Sequence, residues 1–198
     1  MRKTPSPTVD IDAHADLAVS KQDFADALSH LAATVCVVSA GSGSESLGRT
    51  VTATFSLTAH PPSIVVSIRT ASPLAALILA EQGFALAVLA EGQELIADAF
   101  AGMIEAPKRY LVGVWADWPS GRPKLLAANA ALDCVLSASV QLGDHTLFVG
   151  TIVATEASTH VAPLIWSRRR YQSLEKARSP AAPGETQHAL PSSRKPAA

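Results

Sequence analysis

Thr50-Val51-Thr52-Ala53-Thr54-Phe55-Ser56-Leu57 alternates hydroxyl-bearing and apolar side chains along its length. In a β-strand, alternate residues point the same way, about 6.6–6.8 Å apart. That periodicity predicts one face made of Thr50, Thr52, Thr54 and Ser56, and another made of Val51, Ala53, Phe55 and Leu57. The apolar face would pack on a core. The other is a row of hydroxyls, each able to donate and to accept. A flat heterocycle with donors and acceptors along its edge suits such a row. The plainer reading is a solvent-facing strand rich in threonine, a residue favoured in strands, because alternation is the ordinary half-buried pattern.

Working outward from this stretch, short apolar segments alternate with turn signals. Val35–Ser39 is β-branched and strand-like. The run from Gly41 to Gly48 is rich in glycine and serine and separates two strands. Further strands are expected at Ile64–Ile68, Phe84–Leu89, Leu132–Val140, Thr146–Thr155 and Leu164–Trp166. Gly143-Asp144 reads as the hairpin turn between two of them. Ser20 caps a short helix that would bury Phe24, Ala27, Leu28 and Leu31. Ser72-Pro73 reads as the cap and first residue of a helix to about Ala80, and Gln93–Phe100 as another helix. Strands outnumber helices and connections are short, which favours a β-barrel with peripheral helices over a doubly wound sheet. Proline and small polar residues mark 1–19 and 177–198 as disordered tails, leaving one domain over 20–176.

Composition narrows the function classes. The chain has 198 residues, 48% of them apolar, enough for a core without staples. Seventeen acidic and sixteen basic residues leave a net charge of −1, without the basic excess of a nucleic-acid binder. Two cysteines exclude a disulfide framework and an all-cysteine zinc site. No apolar stretch approaches the ~20 residues that cross a bilayer. Asp10, Asp12 and Asp16 follow Arg2 and Lys3 where a secretory signal would be apolar, so a cytoplasmic protein is expected. No Gly-x-Gly-x-x-Gly follows a strand, and no Gly-x-Ser-x-Gly elbow is present. Cys36 and Cys134 sit in apolar strands and read as small buried hydrophobes, not nucleophiles.

Three further constellations carry chemistry. In Ser67-Ile68-Arg69-Thr70-Ala71-Ser72-Pro73 a strand ends, an arginine follows and a capped helix begins. Free amides at a helix start together with a guanidinium suit a phosphate; an ordinary cap beside a surface arginine is the alternative. His145 follows a tight turn, at a barrel rim, where it would meet a ligand or move protons, or simply be a turn residue. Lys108-Arg109 and Arg168-Arg169-Arg170 are basic clusters, the second suited to a phosphate or to a solvated strand edge. No histidine pairs with a second histidine or a cysteine at metal spacing.

The order of these segments resembles the flavin reductase-like family, which contains the small reductase components of two-component flavin-dependent monooxygenases. The matching pieces run from Phe24 to Leu174, about three quarters of the chain. They begin with Phe24-Ala25-Asp26-Ala27-Leu28, Gly48-x-Thr50-Val51-Thr52-Ala53, Ser56-Leu57-Thr58 and Pro61-Pro62. Arg69 with Ser72, Phe100-Ala101-Gly102, Gly121-x-Pro123 and Leu132-Asp133-Cys134 follow. Gly143-Asp144-His145, Pro163-Leu164-Ile165 and Arg170-Tyr171-x-x-Leu174 complete the set. His60, before the two prolines, departs from the acidic or small polar residue frequent in relatives.

The resemblance implies a mainly β, split β-barrel that forms a homodimer with FMN or FAD in a groove near the subunit interface. Carried over by position, Thr50, Thr52, Ala53 and Thr54 line the isoalloxazine ring. Ser67, Ile68, Arg69 and Ser72 lie near the ribityl-phosphate end, and Phe100 closes the groove. His145 meets the nicotinamide as the catalytic residue, and Tyr171 reaches the cofactor from the barrel edge. The implied activity is reduction of FMN or FAD by NADH or NADPH, for use by a separate oxygenase. Such chemistry needs two stacked rings and no strong acid, base or nucleophile, as the residues suggest. A flavin-binding module without reductase activity, and an oxidase of related fold, are the alternatives; fold alone does not choose among them.

Overall fold

The computed structural model describes residues 8–9 and 12–174. In chain order the strands and α-helices are β1 (Thr8–Val9), α1 (Lys21–Ser29), β2 (Ala33–Thr34), β3 (Cys36–Ala40), β4 (Leu47–Val51), β5 (Thr54–Ala59), β6 (Pro62–Arg69), α2 (Pro73–Glu81) and β7 (Gly83–Val88). Then come α3 (Glu94–Asp98), β8 (Trp115–Asp117), β9 (Pro123–Leu125), β10 (Ala130–Leu142), β11 (His145–Ala157), β12 (Ile165–Ser167) and β13 (Arg170–Gln172). The C-terminal tail expected over 177–198 lies outside the described residues. Within the stretch expected as an N-terminal tail, β1 pairs in parallel with Gln141 and Leu142 of β10, and Asp12–Leu17 forms a 3-10 helix.

The main sheet runs β4-β3-β7-β10-β11-β6-β5, antiparallel throughout, with β1 added beside β10. Its two edges, β4 and β5, are consecutive in the chain and are joined only by Thr52 and Ala53. Two residues span at most about 7 Å, so the opposite edges must meet at this point and the sheet curls into a barrel. The Ser67 amide donates to the Ala53 carbonyl at 3.0 Å and ties the crossover to β6. Below it β4 and β5 part company, and the barrel is split. The expectation of one continuous strand over 50–57 is therefore corrected. Closure breaks it at Thr52–Ala53 and shifts which residues face the core, so Phe55 and Leu57 emerge about half exposed.

Strands β3 and β7 are buried on both faces, which is why they read as unbroken apolar runs. Cys36, Val38 and Ala40 face the barrel interior with Phe84, Leu86, Cys134 and Phe148. Leu74, Ala75 and Ile78 of α2 plug the same interior. Val35, Val37, Ala87 and Leu89 face a second core covered by Ile96, Ala97 and Phe100. Burial pushes the thiols of Cys36 and Cys134 up to about 12, as suits small hydrophobes. The long hairpin of β10 and β11 turns at Gly143-Asp144, as expected, with Leu142 opposite His145. Ser20 caps α1, its hydroxyl accepting from the Asp23 amide at 3.1 Å. The face of α1, however, is not buried within the chain: Phe24 is 56% exposed, and Leu28 and Leu31 are also open. The expected burial of Phe24, Ala27, Leu28 and Leu31 is therefore corrected: the helix ends at Ser29, before Leu31, and nothing in the described chain covers its apolar side chains.

Candidate functional site

The crossover builds the site. Taking Thr52 and Ala53 out of both strands leaves their backbone beside the open end of the barrel. A pocket of about 450 Å³ lies against it. Arg49, Thr50 and Val51 line it from β4, Thr52 and Ala53 from the crossover, and Ser67, Ile68 and Arg69 from the end of β6. Ala71, Ser72 and Pro73 supply the start of α2, and His145 closes the rim across from Arg69, its register partner.

Each side chain is placed by a local rule. Ser72 has the extended backbone of an N-cap, its hydroxyl accepting from the Leu74 amide at 3.3 Å, and Pro73 occupies the first turn, where no N–H is needed. The Ser72 amide donates to the Arg69 carbonyl at 2.9 Å, and the Thr70 amide to the Asp144 carbonyl at 2.8 Å. These bonds tie the arginine, the helix start and the β10–β11 hairpin into one rim. His145 Nδ1 lies 2.7 Å from Asp144 Oδ1. That hydrogen bond, with a smaller contribution from the Arg69 charge, holds the Asp144 carboxyl below the usual carboxylate range. Thr50 Oγ1 donates to the Ala97 carbonyl at 2.6 Å, which commits its proton to the fold and leaves its lone pairs to the pocket.

Of the residues singled out in the sequence, Thr50, Thr52, Ala53, Ser67, Ile68, Arg69, Ser72 and His145 come together here. Thr54, Phe100 and Tyr171 do not line this pocket. Thr54 opens on a separate cleft with Cys36, Ile64 and Leu86, and its buried hydroxyl has no partner. Phe100 is wholly buried, turned inward by the π-helical stretch Ala99–Met103, edge-on to Tyr110 at 5.0 Å. The Tyr171 hydroxyl donates to Asp98 Oδ1 at 2.6 Å, and the ring packs edge-on against Trp166 at 5.0 Å. Burial, helped by the Asp98 charge, pushes that phenol well above its ordinary range.

Arg49, Val51, Ala71 and Pro73 also line the pocket and were not among the residues expected to touch the cofactor, although Ala71 and Pro73 lie in the segment read as suited to a phosphate. Strict alternation puts Arg49 and Val51 on the face opposite Thr50. Where the strand breaks, residues of both parities reach one space, so parity stops selecting. The Arg168–Arg170 cluster forms the turn of β12 and β13, with Arg169 paired to Asp26 at 2.6 Å, and is not part of the pocket. Arg109 holds the Ile104 and Gly48 carbonyls at 2.9 and 3.2 Å and is structural. Among the described residues no cluster of three or more histidine, cysteine or acidic side chains could hold a metal ion, and no helix is long and apolar enough to cross a membrane.

The site thus combines hydroxyls and the exposed Thr52–Ala53 crossover with the guanidiniums of Arg49 and Arg69 and the start of α2. Two guanidiniums beside a helix N-terminus suit a phosphate, and hydroxyls with exposed backbone suit the polar edge of a flat ring. The donor set fits a flavin mononucleotide moiety.

Known proteins point the same way. Residues 28–175 match the family model described as a flavin reductase like domain. The reductase component of an FADH(2)-dependent resorcinol hydroxylase from Rhizobium sp. is 32% identical over 152 residues, 76% of this chain and 85% of that protein. An FMN reductase (NADH) of Methylorubrum extorquens is 31% identical over 163 residues, 82% of this chain and 80% of that protein. The NADH:FAD oxidoreductase SgcE6 of Streptomyces globisporus superposes with a TM-score of 0.72 at 25% identity, covering 78% of this chain and 95% of that one. By the extent of the family match and by these relatives, the chain belongs to the flavin reductase-like family.

Proposed function

We propose that this chain is an NAD(P)H-dependent flavin reductase that supplies reduced flavin to a separate monooxygenase, with its site in the pocket at the Thr52–Ala53 crossover. The observation that carries this reading is the lining of that pocket, which combines the hydroxyls of Thr50, Thr52 and Ser67 and the exposed Thr52–Ala53 crossover with the guanidiniums of Arg49 and Arg69. A flavin held there would supply the redox chemistry, as the acceptor of hydride from a reduced nicotinamide. The residues of the chain bind, orient and release. Arg49, Arg69 and the capped start of α2 hold the phosphate. The crossover and the Ser67 and Thr52 hydroxyls fix the ring edge and favour negative charge along it. His145, with Nδ1 held by Asp144, keeps Nε2 as the ring nitrogen available to a nicotinamide carboxamide or a proton. The rim is open, His145 being 44% exposed at its side chain, so the flavin can leave for a partner.

The working unit is a homodimer. Phe24 and Leu28 on α1, Leu31 just beyond its C-terminus, and Phe55 and Leu57 on β5 are large apolar side chains open to solvent in the single chain. Patches of that kind are ordinarily covered by a partner. A monomer by light scattering at micromolar concentration would count against this.

The test of activity mixes purified protein, flavin and NADH or NADPH and follows absorbance at 340 nm. Flavin-dependent loss of the reduced nicotinamide is expected. Tight flavin binding without that loss would make the chain a carrier, and no binding at all would end the reading. His145→Ala should slow turnover while sparing flavin affinity.

A further inference from the structure

Thr50 reaches the pocket from β4, and its hydroxyl is held from behind. Its Oγ1 donates to the Ala97 carbonyl at 2.6 Å, so the proton is committed to the main chain and only lone pairs remain for a ligand. A threonine is stiff at χ1, so the place of that carbonyl decides where the lone pairs face. Ala97 is wholly buried and stands where α3 gives way to the π-helical stretch Ala99–Met103. The helical hydrogen-bond ladder changes register at such a point, and insertions of this kind recur at functional sites.

The anchor for the carbonyl is on the next residue. The Ala97 carbonyl and the Asp98 Cα belong to one planar peptide unit, so holding Asp98 holds the carbonyl. The Tyr171 hydroxyl donates to Asp98 Oδ1 at 2.6 Å. Tyr171 is itself fixed on β13, opposite Trp166 of β12 and edge-on to its ring at 5.0 Å, and Trp166 pairs in turn with Ala33 of β2. Strand β4 follows the helix end closely. Gly48 lies on the same side of β4 as Thr50, and a Cβ there would come within 2.5 Å of Phe100. Two hydrogen bonds from remote parts of the chain thus meet on neighbouring residues. One leads into the pocket, the other to a strand that does not touch it.

We propose that Tyr171, acting through Asp98 and the Ala97 carbonyl, is a positioning residue for Thr50, and so fixes Thr50 as a hydrogen-bond acceptor toward bound flavin. The proposal rests on the reading of the pocket as the flavin site. Tyr171 touches no cofactor in this arrangement. Without its hydroxyl the Asp98 side chain loses its anchor, the Ala97 carbonyl turns with the peptide plane, and the Thr50 hydroxyl follows it away from the ring edge.

The experiment measures dissociation constants for FMN and for FAD by quenching of flavin fluorescence, together with Tm. The proteins are wild type, Tyr171→Phe, Asp98→Ala, Asp98→Asn, Thr50→Val, and Thr50→Val combined with Tyr171→Phe or with Asp98→Ala. Tyr171→Phe and Asp98→Ala should each weaken flavin binding about fivefold, the loss of one hydrogen bond. Asp98→Asn keeps an oxygen for Tyr171 and should restore affinity to within about twofold. In the Thr50→Val background neither Tyr171→Phe nor Asp98→Ala should weaken binding further, because residues that act through one contact are not additive. Asp98→Ala breaks the bond from its other side, so the cycle stands on either variant if one fails to fold. A lower Tm with unchanged flavin affinity makes Tyr171 a purely structural residue and overturns the proposal. Losses that add to that of Thr50→Val overturn the route through Thr50 and leave the flavin site standing. Failure of the wild type to bind either flavin overturns the flavin site, and the positioning role with it.

Discussion

His145 Nδ1 lies 2.7 Å from Asp144 Oδ1, at the turn that joins β10 and β11, the two longest strands among the described residues. An ionised carboxylate only accepts, so the imidazole keeps a proton on Nδ1 and presents Nε2 as the free nitrogen. The hydrogen bond to His145, aided by Arg69, depresses the Asp144 pKa below its ordinary 3.8. A group with a depressed folded pKa contributes above its unfolded value and loses that contribution as pH falls through the folded one. The contact should therefore persist through the usual carboxylate range and fail only below it. Carbon-detected NMR should place the Asp144 midpoint under 3.8; a midpoint at or above that value refutes the arrangement.

The same contact predicts a split in kinetic effects. Asp144→Asn removes the obligate acceptor and lets the ring choose either tautomer. Positioned acid–base groups contribute about 10²–10⁴-fold, so loosening this one should lower turnover by about tenfold. Flavin affinity should not change. A matching loss in flavin affinity would mean that Asp144 serves the fold of the rim instead.

Cys36 and Cys134 are both almost wholly buried, and desolvation lifts each thiol to about 12, with the Asp133 charge adding at Cys134. The thiolate is the reactive form. Native protein at pH 8 should leave an aromatic disulfide reagent unreacted, and both thiols should appear after denaturation. Prompt labelling of either one in the native state would contradict the packing.

Gly48 is set by what lies behind it. A Cβ there would meet Phe100 Cε1 at 2.5 Å and Cδ1 at 2.7 Å. Gly48→Ala should cost about 1–3 kcal/mol by overpacking, with Tm lower by roughly 2–4 °C per kcal/mol. Combining it with Phe100→Leu should recover part of the loss, because the two sites share one contact. An unchanged Tm for Gly48→Ala would place Phe100 elsewhere.

Arg122 Nε and Asp133 Oδ1 pair at 2.8 Å with side chains only 11% and 4% exposed. Arg122→Met strands a buried carboxylate and should cost about 3–5 kcal/mol, whereas the double replacement Arg122→Met with Asp133→Leu should recover most of it. Chemical denaturation of the three proteins decides this, and additive losses would show that the pair is not coupled.

Some of this was written locally. Ser72-Pro73 at a helix start, Gly143-Asp144 at a hairpin and the double apolar runs of β3 and β7 each follow from one residue's dihedral preference or from a short period. The helical pair Phe24 and Leu28 was equally readable, yet it lies exposed, because spacing defines a face and says nothing of what covers it. Phe100 belongs to the family pattern and still turns into the core, because the π-helical stretch after Asp98 rotates it inward.

The amino-acid sequence by itself determined the strand-rich class, the family, and eight of the residues that meet around the pocket, since side-chain period and capping are properties of a few neighbouring residues. Only the tertiary structure decided that the run from Thr50 to Leu57 breaks at Thr52–Ala53 and that Arg49 joins the pocket. Those outcomes follow from closing the sheet on itself, which is a condition imposed by strands far apart in the chain and has no local signature.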